Sequence, residues 1–324
     1  MAELDLIADI GGTHARFALT DPAAPAPRVL QAQTLRGADF PSLRHAAAHY
    51  LARVGAKPRR AAFALAAVVD ADADAIFLTN RAWSFGRDAL RRALGLDELR
   101  LLNDFGAIAW AVPELGPGDR VALHGDADAP LRAPVSVLGP GTGFGVALLV
   151  GSRERGWQAV ETEGGHASFA PLDDEERRIA RWIEARCGRV STERLLSGAG
   201  LSHIDAALRG VPDGSDDGVR EPAAIVGAAL QGRDPHAERA LARFCAVLGS
   251  VAGDIALIHG ARTLMIAGGI VPRFVPFLRA SAFRERFLAK GRFAAYMEAV
   301  AVHVITHPQP GLLGAAVALR RPAA

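Results

Sequence analysis

Lysine is nearly missing from this 324-residue sequence: only Lys57 and Lys290 occur, and neither lies in a glycine-rich turn. A phosphate loop built on lysine is thereby excluded, so phosphate chemistry would have to rest on backbone amides, arginine or a metal. Cysteine is equally scarce. Cys187 and Cys245 are too few and too far apart for a disulfide framework or a zinc cluster, and a reducing compartment fits. There is no excess of charge of either sign. The formal net charge is +2, with acids and bases mixed along the chain, which gives no electrostatic case for nucleic acid or an anionic membrane as partner. The opening run MAELDLIADIGG carries acids where a signal peptide carries bases, so a cytoplasmic location is expected. The uncharged stretch 133–152 is broken by five glycines and two prolines. It reads as two strands and a turn, not as a membrane span.

What is present is apolar. Half of the residues are hydrophobic, enough for a substantial core, and the length suits one long domain or two ordinary ones. LDLIADI (4–10) predicts a strand ending in Gly11-Gly12-Thr13, ARFALTD a returning strand and VLQAQTL a third. PSLRHAAAHYLARVG predicts an amphipathic helix, followed by the strands RAAFALAAVV and AIFLTN, a helix through FGRDALRRALG, and the strand ELRLLN running into Asp104. The order restarts near residue 134 with VSVL, GPGTG, FGVALLV and GWQAVET. Helices follow from about Asp173, at 199–209 and at 235–259, then the strand TLMIAGG, a helix near Pro272, the strand VHVIT and a last helix from Gly311. Gly12-Thr13 precedes Ala18-Leu19 as Gly141-Thr142 precedes Ala147-Leu148, an offset of 129. With the restarted element order, this predicts two related α/β domains.

Six segments have residue types suited to chemistry. The turns at Gly11-Gly12-Thr13 and at Gly139, Gly141, Thr142 and Gly143 would bring backbone N–H groups close to an anion. Either turn alone is also an ordinary hairpin needing positive φ. Asp9, beside the first turn, is a hard oxygen donor suited to Mg²⁺. Asn103-Asp104 stands where a strand ends and a helix begins, so Asp104 reads first as a helix N-cap, although the carboxyl end of such a strand is also where ligands bind. Glu163-Gly-Gly-His166 offers acceptors and donors for sugar hydroxyls, or a plain exposed turn. Glu193 sits in the first turn of a helix, where the macrodipole favours an acid in any case. Gly268-Gly269, between strand and helix, would let a flat adenine or ribose approach the backbone, or would serve helix–strand packing.

Taken together and in order, IADIGGTHARFAL, FLTNRAWSF, LLNDFGAIAWAVP, LGPGTGFGVALL, EGGHASFAP, VSTERLLSGAGL, IAGGIVPRF, KGRF and PGLLGAA resemble the bacterial glucokinases of the non-repressor type, within the hexokinase/actin-like ATPase superfamily. The resemblance implies an α/β fold of two related ribonuclease H-like domains around a cleft. The small domain would hold residues 1–112 and 308–324, and the large one residues 113–307. It implies ATP-dependent phosphorylation of glucose, with Mg²⁺, in a homodimer. Asn103 and Asp104 would contact the sugar and Asp104 would take the proton of the 6-hydroxyl, serving as both cap and base. Glu163, His166 and Glu193 would bind other hydroxyls. Asp9, Gly11, Gly12 and Thr13 would face the phosphates with the metal, Gly139, Gly141, Thr142 and Gly143 would form the second phosphate turn, and Gly268 and Gly269 would lie by the adenosine.

Two positions depart from the family pattern. His14 replaces the usual Asn after G-G-T, and VVDADADAIFLTN lacks the usual Pro and Gly before Thr79-Asn80, although Trp83 remains. Three other readings compete with this one. A different hexose or aminosugar kinase is one, but the zinc cluster of repressor-type kinases is missing. A sugar sensor is another, but the phosphate hairpin begins by residue 10 and leaves no room for an N-terminal DNA-binding domain. In an actin- or chaperone-like ATPase the sugar ligands would lack a purpose.

Overall fold

A computed structural model describes residues 4–69, 75–78, 83–213 and 215–321. Thr79 and Asn80, and most of the acidic stretch before them, lie outside the described residues. The chain divides into two compact units, Met1–Gly116 with Gly156–Glu161 and His307–Ala324, and Pro117–Arg155 with Thr162–Thr306.

The first unit is laid out as β1 (Asp5–Ile10), β2 (His14–Thr20), β3 (Leu30–Arg36), α1 (Leu43–Val54), β4 (Arg60–Leu65), β5 (Ala75–Phe77), β6 (Ser84–Gly86), α2 (Arg87–Ala93), β7 (Glu98–Asn103) and α3 (Asp104–Ala111). Its main sheet has the order β3-β2-β1-β4-β7. Strands β1 to β3 form an antiparallel meander, while β4 and β7 run parallel to β1. Two-residue alternation sorts β1: Leu6, Ala8 and Ile10 join one core cluster with Leu43, Ala46, Ala47 and Tyr50 of α1, and Ile7 joins another. The α1 set follows helical spacing. Ser42 caps the start by accepting the His45 N–H, and Gly55 ends the helix in the left-handed conformation.

In the second unit the elements are β8 (Arg120–His124), β9 (Val135–Pro140), β10 (Phe144–Ser152), β11 (Gly156–Thr162, whose first six residues group with the first unit), α4 (Asp174–Cys187), α5 (Thr192–Leu195), α6 (Gly198–Arg209), α7 (Pro222–Leu230), α8 (Pro235–His259), β12 (Thr263–Ile266), α9 (Val275–Ala280), α10 (Phe283–Leu288), α11 (Ala294–Glu298) and β13 (Ala301–Ile305). The antiparallel hairpin β9–β10 continues through parallel β12 and β13 to antiparallel β8. A hairpin followed by two parallel strands therefore recurs. Helix α8 is long and apolar enough to cross a membrane, but 72% of its apolar window is buried in the protein, as in a core helix. The sequence pattern missed β8, α7, α10 and α11. The helix near Pro272 opens as a 3-10 turn over Val271–Phe274 and becomes α-helical only at Val275.

The last helix, α12 (Pro310–Leu319), belongs to the first unit. Its Leu312, Ala315, Ala316 and Leu319 cover Ile7, Ala18 and Ala62, the sheet face opposite α1. The sheet is thus closed on both sides by helices distant in sequence. At the C-terminal end of α12, Arg60 donates to the Leu319 carbonyl at 3.2 Å and pairs with Asp5 at 2.7 Å. A cation there suits the helix dipole.

His303 on β13 is 1% exposed, and its Nδ1 is buried with no partner among the described residues. Burial, with Arg120 nearby, pushes its pKa down from 6.5 to about 4. Between those values the unfolded chain holds a proton that the folded chain does not, so stability falls as pH drops. The effect is up to about 3 kcal/mol for this residue. His303→Asn should flatten the decline in Tm from pH 6.5 to 4 relative to the parent. An unchanged slope would assign the acid sensitivity elsewhere, for instance to His203 and His259, which burial also pushes down.

Candidate active site

In the first unit the predicted residues gather at one end of the sheet. Asp9 follows Ile7 by two residues on β1 and so faces α12. Its largely buried carboxylate pairs with Arg16 at 3.0 Å. Gly311 in the first turn of α12 makes room for it, since a Cβ there would come 3.2 Å from Oδ2. The N-terminal end of a helix favours a carboxylate. Even so, burial pushes the Asp9 pKa above its ordinary value, against the lowering effect of Arg16. The turn Gly11–His14 joins β1 to β2 and is closed by the Gly11 N–H donating to the His14 carbonyl at 3.0 Å. Thr13 and His14 are exposed.

Asn103, not Asp104, caps α3. Its Oδ1 accepts the N–H groups of Phe105 at 2.9 Å and Gly106 at 3.2 Å, while its Nδ2 donates to the Ala67 carbonyl at 3.2 Å. Asp104 is the first residue inside the helix, and its half-buried carboxylate accepts the Phe105 N–H at 2.9 Å. The correction has a simple cause. The strand continues through Asn103 in extended conformation, and the cap is by definition the last non-helical residue. Asp104 is thereby relieved of the capping role. Trp83 is buried in the core and donates to the Phe40 carbonyl.

In the second unit three motifs separated in sequence meet at Phe144. Its N–H donates to Glu193 Oε2 at 2.9 Å. Gly165 of the EGGH segment lies so close that a Cβ would strike the Phe144 carbonyl, and a Cβ on Gly143 would strike the Glu193 carboxylate. The short helix α5, which presents Glu193, is pinned by Thr192 N–H to the Ala167 carbonyl at 2.9 Å and by a bridge between Ser168 and Ser191. Glu163 and His166 are half-exposed, with Oε2 and Nε2 3.7 Å apart. The 141–143 turn is closed by Gly141 N–H to the Gly143 carbonyl at 2.7 Å. It is also tied to α6 by Gly198 N–H to the Gly141 carbonyl at 2.9 Å.

The glycines divide by purpose. None of Gly11, Gly139, Gly141 and Gly143 has a left-handed φ, so the hairpin reading that invoked positive φ fails for them. At Gly139 a Cβ would enter the Ala267 carbonyl. At Gly268, with φ +93°, it would enter the Pro140 carbonyl. These two let β12 and its following turn lie flat against β9. At Gly11 and Gly141 a Cβ would meet nothing nearer than carbonyls at 3.7 and 4.0 Å, and at Gly269 nothing within 4 Å. Those surfaces are open to a ligand. The two hairpins are also not in register. Ile10 pairs with Ala15 across a four-residue loop, whereas Pro140 pairs with Phe144 across three.

Glu161 was not anticipated. On β11 in the first unit, its Oε1 accepts the Asn103 N–H at 2.8 Å. It is exposed and reads in sequence as a solvated strand residue. Only its position two residues before Glu163 in the sequence hints at more.

A family model described as Glucokinase matches residues 6–322. The glucokinase of Chromobacterium violaceum is 45% identical over 317 residues, covering 97% of this chain and 88% of that protein. Among solved structures, a glucokinase from an Antarctic psychrotroph superposes with a TM-score of 0.82 at 36% identity, covering 98% of this chain and 99% of that one. The glucokinase of Balamuthia mandrillaris, solved in complex with glucose, reaches 0.81 at 22% identity over 98% and 94% of the two chains, a likeness of fold.

The division of the glycines is testable by thermal denaturation. Gly139→Ala and Gly268→Ala should each cost at least about 2 kcal/mol through overpacking. Gly141→Ala should leave Tm within about 1 °C. Equal losses at all three positions would mean that the Gly141 surface is structural.

Proposed function

Given that the chain belongs to the glucokinase family, we propose that it transfers the γ-phosphoryl group of ATP to the 6-hydroxyl of glucose, with Asp104 as general base. The observation that carries this reading is the convergence at Phe144. One peptide unit joins a glycine turn with an open surface, suited to phosphate, to Glu193 and the EGGH segment, suited to sugar hydroxyls. A sugar sensor would have no use for the turn, and a plain ATPase would have none for the carboxylates.

The hydroxyl of a sugar is a poor nucleophile until its proton is drawn away or held in line. Asp104 accepts that proton as the oxygen attacks the γ-phosphorus, and ADP leaves. Asn103 fixes the helix start that aims Asp104, while Glu163, His166 and Glu193 hold the remaining hydroxyls. Backbone amides of the two turns, with Thr13 and Thr142, take up phosphate charge without a lysine. Gly268 and Gly269 lie against the adenosine.

Among the described residues no three carboxylate, imidazole or thiol groups gather as a metal cluster. Mg²⁺ in phosphoryl transfer needs only one or two carboxylates together with phosphate oxygens, and the Asp9 carboxylate, paired with Arg16, fits that demand. When bound, the ion neutralises charge on the phosphates.

Asp104→Asn should lower kcat by at least about a thousandfold while glucose still binds, measured by coupled ADP release and calorimetry. Activity near the parent level would sink the assignment. Asp9→Asn should likewise remove activity without lowering Tm at neutral pH. A carboxylate whose pKa is raised on folding opposes folding once ionised, and the amide lifts that penalty. A lower Tm would make Asp9 a structural partner of Arg16 instead.

Glu193 separates two roles. Glu193→Gln retains an acceptor for the Phe144 N–H, so KM for glucose should rise with little change for ATP. Glu193→Ala should raise both, because the glycine turn loses its anchor. Identical effects of the two variants on both substrates would remove Glu193 from the sugar site.

A further inference from the structure

Strand β7 is the edge of its sheet, so at its last residue an N–H faces away from β4 with no neighbouring strand to receive it. That N–H belongs to Asn103, and the Glu161 carboxylate accepts it at 2.8 Å. The peptide so held is the one from which α3 starts and on which Asp104 follows. Two further observations show that the space is kept for this carboxylate. Gly106, on the first turn of α3, lacks the Cβ that would run into Glu161 Oε1, Cγ and Cδ. Glycine inside a helix costs about 1 kcal/mol relative to alanine, so helix stability does not account for it. Glu161 is also exposed, so the contact is not a by-product of core packing.

We infer that Glu161 is a positioning residue for Asp104, holding the strand end that fixes the carboxylate's direction. The inference rests on the reading of Asp104 as the base. An N-cap alone anchors the helix to Asn103, but the edge peptide itself can still pivot. A charge-assisted hydrogen bond to its N–H removes that freedom, and misplacement of a base by a fraction of an ångström is costly to the chemical step.

The test uses the whole chain and five variants. Glu161→Ala should lower kcat about ten- to thirtyfold with KM for glucose and ATP within about twofold and Tm nearly unchanged, since the side chain is exposed and adds little to the core. Glu161→Gln, whose amide oxygen can accept the same N–H, should recover most of kcat. Gly106→Ala should mimic Glu161→Ala by displacing the side chain while preserving or raising Tm. The double variant should be no slower than either single one, because both remove the same contact. Unchanged kcat in Glu161→Ala overturns the inference, as do multiplicative losses in the double variant. A loss of kcat that comes with a lower Tm and shifts in both KM values overturns it too, in favour of a structural role. Asp104→Asn, assayed in parallel, keeps the two readings apart. If it is inactive while Glu161→Ala is normal, only the present inference fails; if it is active, the base assignment fails and the inference with it.

Discussion

The Phe144 N–H reaches the Glu193 carboxylate at 2.9 Å, and the arrangement of the second unit's candidate site hangs on that bond. Phe144 is the first residue of β10, so its peptide sets where the preceding glycine turn ends. Its carbonyl side is pressed by Gly165, which places the EGGH segment, and its amide side is held by Glu193. Moving any one of the three would move the other two. A hydrogen bond to an ionised acceptor is among the stronger ones available to a backbone, about 1.5–3 kcal/mol, and here it also defines a geometry. The first unit repeats the device with other residues: a backbone N–H at a strand terminus, held by a carboxylate from a remote segment.

Much of the fold was legible because the strands are apolar and short. ADIGG and SVLGP could be little else than buried strands running into turns, and the helix expected from about Asp173 does start there, with Asp173 as its cap. Strand β8 was not legible. RVALH has two charged or polar ends, every residue but His124 is only half-buried, and its partner β13 lies nearly 180 residues away. Alternation is weak where one strand covers an edge.

The candidate site was legible as residue types in order, and less so as contacts. The cap moved from Asp104 to Asn103 because a cap is decided by where the chain leaves extended conformation, a matter of one residue that sequence periodicity does not resolve. The glycines looked alike on paper. Whether each serves a φ angle, a close approach or an open surface depends on what stands opposite, and for Gly139 and Gly268 that is a carbonyl from another strand. Glu161 escaped notice for the same reason: its partner is a backbone N–H, which has no letter in the sequence.

Helix α12 has a consequence for how the chain is made. The sheet face formed by Ile7, Ala18 and Ala62 stays bare until residues 310–319 exist, although the strands that carry it are finished by residue 65. At about 5–20 residues per second, a ribosome needs on the order of ten seconds or more to supply the cover. The second unit, which itself runs to Thr306, is completed only just before that cover, so the first waits through the whole interval with an apolar face toward water. The alanines on that face lower the hazard of the delay: they present little greasy surface to a chaperone or a neighbouring nascent chain, yet they still allow the final helix to lie close.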